Sequence, residues 1–169
     1  RMNLVELCEP LFQYICRLSR GARKGVSPDL AQVRGDIKGI FSEMAAKARG
    51  TPGLQEQYEK IEIVLMYFVD FMIKESRLAF ARNWQELAHE KNKLAGDEDF
   101  FDELDKTLAE SDTDSSRQRL AVFYTCMGLG FTGWYTGNPE HLRRKMNEMA
   151  SRVRGMMDAD RAARVCPEA

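Results

Sequence analysis

Apolar residues recur at three- and four-residue steps along most of the chain, which is the period of one face of an α-helix. Asn3 followed by Glu6 predicts a capping box at the start of the first helix, and Pro10 within it predicts a kink. The apolar side of this helix is formed by Leu4, Leu7, Leu11, Tyr14, Ile15 and Leu18.

The second helix has the same one-sided pattern. Ser27 and Pro28 predict its N-cap and first residue, and Gly50 predicts its end. Its apolar side would consist of Leu30, Val33, Ile37, Ile40, Phe41 and Met44.

The third helix is apolar on all sides over residues 61–73, which predicts a helix surrounded by others. Thr51 and Pro52 predict its start, and the apolar pattern continues from about Leu54 to Phe80. We therefore expect it to be the central helix of the core.

The second half of the chain continues the helical pattern. It predicts a short helix after Trp84 to about Leu94, a break at Gly96, a helix from about Asp97 and a polar loop over 111–116. A buried helix would follow over 117–131, and Asn138 with Pro139 would cap a last helix, from Leu142 to about Met157. No strand pattern competes, so we expect an all-α protein of roughly seven to eight helices without a sheet.

Composition narrows the class of protein. The chain has 169 residues, of which 44% are hydrophobic and 30% charged, as is typical of a globular domain. A net charge of -1 argues against nucleic acid as a partner of the whole chain. The longest apolar run, 63–73, is interrupted by Asp70 and is too short to span a membrane. The four scattered cysteines predict reduced thiols in a reducing compartment: Cys8, Cys16, Cys126 and Cys166.

The sequence offers little that resembles an active site. It has no Walker-type phosphate loop, and its cysteines and histidines lack zinc spacing. His89 and His141 lie in polar stretches, where a surface histidine is the simpler interpretation. Glu86 and His89 form one Glu-x-x-His motif, but di-iron bundles use two copies. We therefore expect neither an enzyme nor a bound cofactor or metal.

Charged residues suggest two surfaces for protein contacts. Asp70 lies in the apolar middle of the third helix, where Lys74 is its expected intrahelical partner, although a cleft that meets a partner protein is the alternative. Residues 97–114 carry nine acids against one base, Lys106, which predicts an acidic surface with Asp102, Glu103 and Asp105. Basic residues cluster at the end of the first helix and in the C-terminal part. Solvated helix faces explain such patches equally well.

The stretch LGFTGWYTGNPEHL over 129–142 interrupts the helical pattern and predicts an elbow between the last two helices. Gly128 and Gly130 would allow a close backbone approach, while Gly133 and Gly137 would permit positive φ at a reversal. Phe131, Trp134 and Tyr135 would then fill the corner, although aromatic residues of this kind can also line a ligand site.

Four segments together resemble the DotU/TssL family, also called IcmH-like. They are LVELCEPLFQYICRLSR near the start, FVDF followed by Trp84, DEDFFDELDKTL over 97–108 and FYTCMGLGFTGWY over 123–135. Members of this family are membrane-complex components of bacterial type VI secretion and of related type IVB systems. The resemblance extends in order over nearly the whole chain. It departs at Phe71, where members often have Glu after the core Asp.

The resemblance implies a single cytoplasmic helical domain over 1–169, hook-shaped and built of two packed bundles. It further implies an inner-membrane anchor expected beyond residue 169, and an assembly role without catalysis. The implied partners are a TssM/IcmF-like inner-membrane protein and baseplate components, and a homodimer is a further expectation. Asp70, Lys74 and Trp84 would form the partner-binding cleft, and the elbow would orient the domain on its anchor. A soluble helical adaptor is the alternative, followed by a metal-dependent helical enzyme.

Overall fold

The computed structural model describes residues 2–154 and 156. Within this part all regular secondary structure is helical and there is no β-strand, so the predicted all-α class is confirmed. The helices are α1 (Leu4–Arg23), α2 (Leu30–Arg49), α3 (Leu54–Lys74), α4 (Gly96–Ala109), α5 (Asp114–Gly128) and α6 (Pro139–Val153). Three short 3-10 helices span Ala81–Asn83, Leu87–Lys91 and Gly133–Tyr135.

Successive helices run in opposite directions. The Tyr14 hydroxyl of α1 donates to Asp36, early in α2, at 2.9 Å, and Gln57 at the start of α3 donates to the Ser115 carbonyl at the start of α5 at 2.8 Å. Met2 and Met156 line one groove at the end where α1, α3 and α5 begin. The described chain therefore begins and ends at the same end of the helix bundle.

Helix α3 is the centre of the fold, as its all-round apolar sequence predicts. It contacts α1, α2, α4 and α5, and also the first two 3-10 helices. The rings of Phe12 and Phe68 meet edge to face at 5.6 Å between α1 and α3. A single core cluster joins buried side chains from all six α-helices. Within the described residues, no helix is both long and apolar enough to cross a membrane.

Several helix ends are as predicted. Asn3 and Glu6 form the capping box of α1, with the Glu6 N–H donating to the Asn3 side chain at 2.9 Å. α1 then continues without a break through Pro10. Gly50 caps the end of α2, and Asn138 caps the start of α6 with Pro139 at its first position. Local capping chemistry was sufficient to predict these ends.

Other helix ends are wrong in the sequence analysis because the predicted cap has another partner. Asp29, not Ser27, caps α2, since its carboxylate accepts from the Gln32 N–H at 3.1 Å. The Ser27 hydroxyl instead accepts from the N–H of Ala79 at 3.0 Å. Helix α3 starts after Gly53, which has a φ of 82° that favours glycine, rather than after Thr51.

The segment after α3 is less helical than its apolar pattern predicts. α3 ends at Lys74 rather than near Phe80, because the Ser76 hydroxyl donates to the Ile73 carbonyl at 2.6 Å and turns the chain. Phe80 is still buried, but in an irregular segment. The predicted helix to Leu94 is only a five-residue 3-10 helix that ends at Asn92, whose φ is 60°. The spacing of apolar residues therefore predicted burial correctly in this segment, but it did not predict the secondary structure.

Helices α4 and α5 begin slightly before their predicted starts, and α5 ends at Gly128, three residues before the predicted limit of 131. The polar loop predicted over 111–116 is shorter, because Thr113 caps α5 and the helix begins at Asp114. α6 ends at Val153, four residues before the predicted Met157, which itself lies outside the described residues.

The three cysteines of the described part, Cys8, Cys16 and Cys126, are buried, as expected of core thiols. Burial raises the pKa of the Cys8 thiol to about 12 and also raises that of Cys126. A thiol with such a pKa is a poor nucleophile near neutral pH. Cys166 lies outside the described residues.

Arg119, a buried arginine, links α5 to α3 and to the residue that follows α4. Arg119 of α5 donates to both carboxylate oxygens of Glu110, at 2.6 and 2.7 Å, and to the Gln57 side chain of α3 at 2.9 Å. The side chain of Arg119 is only 5% exposed, whereas that of Glu110 is 42% exposed. Hydrogen bonds from Arg119 lower the pKa of Glu110.

A second arginine closes the end of α6 onto the α4–α5 connection. Arg152 donates to the Leu108 carbonyl at 2.8 Å and to the Ser116 hydroxyl at 2.9 Å, and it pairs with Asp112 at 3.3 Å. It thereby satisfies a carbonyl in the last turn of α4, which has no partner within its own helix. The place where α6 ends is fixed by these bonds.

We predict that Glu110→Gln lowers the free energy of unfolding by about 1–2 kcal/mol at neutral pH, because it removes the charge that balances Arg119. The figure is at the low end because Glu110 is partly exposed. Since the pKa of Glu110 is lowered in the folded state, the difference should be complete above about pH 5 and vanish as the pH falls through that lowered pKa. Urea unfolding at several pH values measures it.

The matched control is Asp102→Asn, which neutralises an exposed carboxylate on α4, the helix that Glu110 follows, and should change stability by less than about 0.5 kcal/mol. Equal effects of the two substitutions, or a difference that persists at low pH, would contradict the role given to Arg119.

Candidate partner-binding site

Asp70 is a buried carboxylate that binds the segment following α3. It is 3% exposed and accepts three hydrogen bonds, from Trp84 Nε1 at 2.9 Å, from the Leu87 N–H at 2.8 Å and from the Ala88 N–H at 3.1 Å. The last two are N–H groups in the first turn of the 3-10 helix, which have no partner within it. Asp70 therefore caps a helix far from it in sequence.

Burial raises the pKa of Asp70, while the hydrogen bonds from Trp84, Leu87 and Ala88 oppose that shift. The ionised form is the one that matches this geometry, since all three neighbours are donors. A carboxylate with its acceptors occupied in this way has a structural function.

The expected ion pair between Asp70 and Lys74 is wrong. Lys74 instead pairs with Glu86 at 3.0 Å, and Glu86 also contacts His89 at 2.6 Å. The Glu-x-x-His motif thus forms a contact within itself. The side chain of Lys74 is about half exposed. The chain after α3 folds back and brings Glu86 next to it.

The predicted cleft residues are therefore close together but mostly inside the protein. Asp70 and Trp84 are bonded to each other, and Trp84 is only 5% exposed, so Lys74 is the member that reaches solvent. A partner at this place would meet the residues that cover the pair rather than the pair itself.

The covering layer consists of charged residues that sequence reasoning missed. The Arg34 guanidinium of α2 lies 5.0 Å from the Trp84 ring centroid and donates to the Gln85 carbonyl at 2.7 Å. Glu90 accepts from Arg34 at 3.1 Å and from Lys38 at 3.0 Å, and these cations lower its pKa. Arg34 and Lys38 are four residues apart on α2, a spacing that could have marked them as one basic face.

The predicted acidic surface on α4 is partly neutralised. Asp105 pairs with Lys145 of α6 at 2.9 Å, and Glu103 pairs with Lys106 at 3.3 Å. Asp102 is exposed. The sequence showed only one base in this stretch, because Lys145 comes to it from a distant helix.

The elbow between α5 and α6 begins with a Schellman motif. The N–H of Phe131 donates to the Cys126 carbonyl at 3.0 Å, and the N–H of Gly130 donates to the Met127 carbonyl at 3.1 Å. Gly130 has a φ of 126°, so it is required for its backbone conformation and lies against the Met72 side chain. A Cβ at Gly128 would meet open space, so the close approach predicted there is wrong.

Gly133 is the tightest position of the elbow. It has a φ of 49°, and a Cβ there would lie 2.8 Å from both the Asp97 carbonyl oxygen and the Phe131 ring. Gly137 also has positive φ, 85°, but its surroundings are open. The conformational predictions for these two glycines are confirmed.

The aromatic residues of the elbow do not act alike. Phe131 is buried and stacks on Phe100 with ring centroids 3.9 Å apart. Tyr135 meets Phe101 edge to face at 4.8 Å and stacks on His141 at 3.7 Å. Trp134, by contrast, is 64% exposed, so its predicted place in the corner is wrong. Two aromatic residues therefore fix the elbow to α4 and α6, and the third faces solvent.

No group of His, Cys, Asp and Glu in the described part has the arrangement of a metal site. The remaining polar atom of note is His141 Nε2, which is buried without a hydrogen-bond partner beside the Tyr135 ring.

Comparison with known proteins gives one family. The chain matches the sequence model described as type VI secretion system protein DotU over residues 3–169. No curated protein matches significantly, and no solved structure does either.

We predict that Asp70→Asn lowers the free energy of unfolding by roughly 2–4 kcal/mol, because an amide offers one acceptor oxygen to three buried donors. Chemical denaturation followed by circular dichroism measures the loss. Lys74→Met is the matched control, since Lys74 makes only a surface pair, and it should cost less than about 1 kcal/mol. An Asp70→Asn protein as stable as the control would show that the three bonds are not structural.

We predict that Gly133→Ala destabilises the protein more than Gly137→Ala. Both substitutions force alanine to positive φ, which costs about 1–2 kcal/mol, but only the first also inserts a methyl group into occupied space, at a further cost of about 1–3 kcal/mol. Thermal unfolding of the two variants gives the comparison. Equal melting temperatures would refute the packing assigned to the elbow.

Proposed function

The chain belongs to the DotU family of type VI secretion system proteins, and on this basis we propose that it is a structural assembly component of the inner-membrane complex of such a system. The match over residues 3–169 is the observation that carries the proposal. In this role the protein binds a TssM/IcmF-like inner-membrane protein and connects the membrane complex to the cytoplasmic baseplate. It acts through protein–protein contacts and without catalysis.

The internal bonding of the protein supports a scaffold role. Asp70, Arg119 and Arg152 each join elements that are distant in sequence, and each has its hydrogen-bonding groups directed to other parts of the same chain. Such residues stabilise one relative arrangement of helices. A fixed arrangement benefits an assembly component, because partners can then dock without paying to order its surface.

The positions of Met2 and Met156, at the limits of the described part, support a particular orientation. Met2 and Met156 line the same groove, at the end of the bundle where α1, α3 and α5 begin. A membrane tether that follows α6 would hold this end towards the bilayer. The opposite end, with the elbow and the last turns of α1 and α3, would then point into the cytoplasm towards the baseplate.

The test of this function is deletion of the gene in the bacterium that encodes the chain. We expect secretion of a type VI effector into the medium to fall to background and to return when the wild-type gene is supplied in trans. Immunoblots show whether the other components of the system are still present in the deletion strain. Unchanged secretion in the deletion strain would contradict the proposal.

Membrane fractionation separates the proposed role from that of a soluble adaptor. We expect the native protein to sediment with inner membranes and to co-purify, after detergent extraction, with an IcmF-like protein. If the native protein is found only in the soluble fraction and without that partner, the result would favour the adaptor and contradict the membrane role.

A further inference from the structure

Helix α1 ends in a stripe of positive charge. Arg17, Arg20 and Arg23 follow one another at three-residue steps, and Lys24, the C-cap residue, is four residues after Arg20, so the four lie on one side of the end of the helix. We call these four residues the basic stripe. Like charges at this spacing destabilise a helix.

The helix dipole explains only part of the basic stripe. Cations in the last turn are favourable, and Arg20 and Arg23 lie there, but Arg17 lies before it. A further cation comes from outside the helix, because Arg77, just after α3, lines the same groove as Arg23. One acid, Glu75, is also in that groove.

Three of these cations lack an internal counterion. Over residues 2–154, the structure shows no ion pair for Arg17, Arg23 or Arg77, whereas Arg119 and Arg152 are both paired. The guanidinium group is suited to bidentate bonds with carboxylates. Three unpaired arginines around one helix end therefore form a surface prepared for an anionic partner.

An apolar groove borders the basic stripe. It has a volume of about 230 Å³ and lies between Arg17 and the α1–α2 loop. Val26 in this loop is 60% exposed, although its N–H is fixed by a bond to the Gly21 carbonyl at 2.8 Å. Apart from Arg17, the lining residues are Tyr14, Leu18, Gly21, Val26 and Pro28. The loop is also bonded to Ala79 through Ser27, so the exposed apolar surface is held in place.

We infer that this end of the bundle binds an acidic segment of a partner protein that carries apolar side chains. Carboxylates of the segment bind the arginines, and its apolar side chains enter the groove beside Val26. The inference rests on the assembly function proposed above and gives it a docking face. A protein segment fits better than a lipid surface, because the groove is concave and lies at the end of the bundle opposite Met2 and Met156.

The experiment measures binding of a fluorescent peptide in which glutamates alternate with leucines, by anisotropy with the purified chain. We expect saturable binding that weakens with added salt, and at least about tenfold weaker binding of the same peptide with glutamine in place of glutamate. The double variant Arg17→Glu, Arg23→Glu should weaken binding of the glutamate peptide by about tenfold or more.

The matched control is the double variant Lys47→Glu, Arg49→Glu. It reverses two exposed cations in the last turn of α2, so it makes the same change in net charge at the other end of the α1–α2 hairpin. Binding should be within about twofold of the wild type, since it does not touch the stripe. Melting temperatures of both variants identify any loss of folding. Equal weakening in the two folded variants would overturn the inference.

Two further results would also overturn it. The first is no preference of the wild type for glutamate over glutamine. The second is sedimentation with vesicles of phosphatidylethanolamine and phosphatidylglycerol, lost in Arg17→Glu, Arg23→Glu, together with no peptide binding; the surface would then bind lipid. Because peptide binding uses purified protein, it can fail while the secretion phenotype of the deletion stands, and the reverse.

Discussion

The fold of this protein depends on one buried carboxylate. Asp70, in the middle of the central helix, accepts bonds from Trp84, Leu87 and Ala88 and so fixes a segment of about twenty residues that has no α-helix of its own. That segment carries the residues that cover α3, and it leads into α4. An ionised acid in an apolar helix is costly unless donors surround it, and here the chain itself brings the donors. The central helix can therefore be apolar on all sides and still contain this one buried acid.

Contacts between residues distant in sequence also hold the two ends of the bundle together. At one end Arg119 and Arg152 bind carbonyl and carboxylate oxygens near the start of α5, and at the other end Gly133 and Phe131 hold the elbow against α4. Polar bonds therefore hold the end where Met2 and Met156 lie, and aromatic packing holds the opposite end. Such bonding at both ends favours one arrangement of the helices, which would suit the assembly role proposed above.

The sequence predicted what depends on local chemistry and periodic burial. The all-α class, the capping box of Asn3, the α6 cap at Asn138 and the positive φ of Gly133 all follow from near neighbours. The errors concern residues whose partner is distant. Ser27 bonds Ala79 instead of capping α2, Glu86 takes the place of Asp70 beside Lys74, and Lys145 neutralises Asp105. Nothing in a single sequence reveals which distant partner a polar side chain will find.

Asp70 holds the segment after α3 in place through its bonds to Trp84, Leu87 and Ala88. Amide hydrogen exchange at Leu87 and Ala88 tests this most directly, because their N–H groups bond only to Asp70 in this arrangement. We predict that the Leu87 and Ala88 amides are protected about as strongly as amides in the middle of α3. In Asp70→Asn this protection should be lost, while the α3 amides remain protected. Rapid exchange at both residues in the wild-type protein would contradict it.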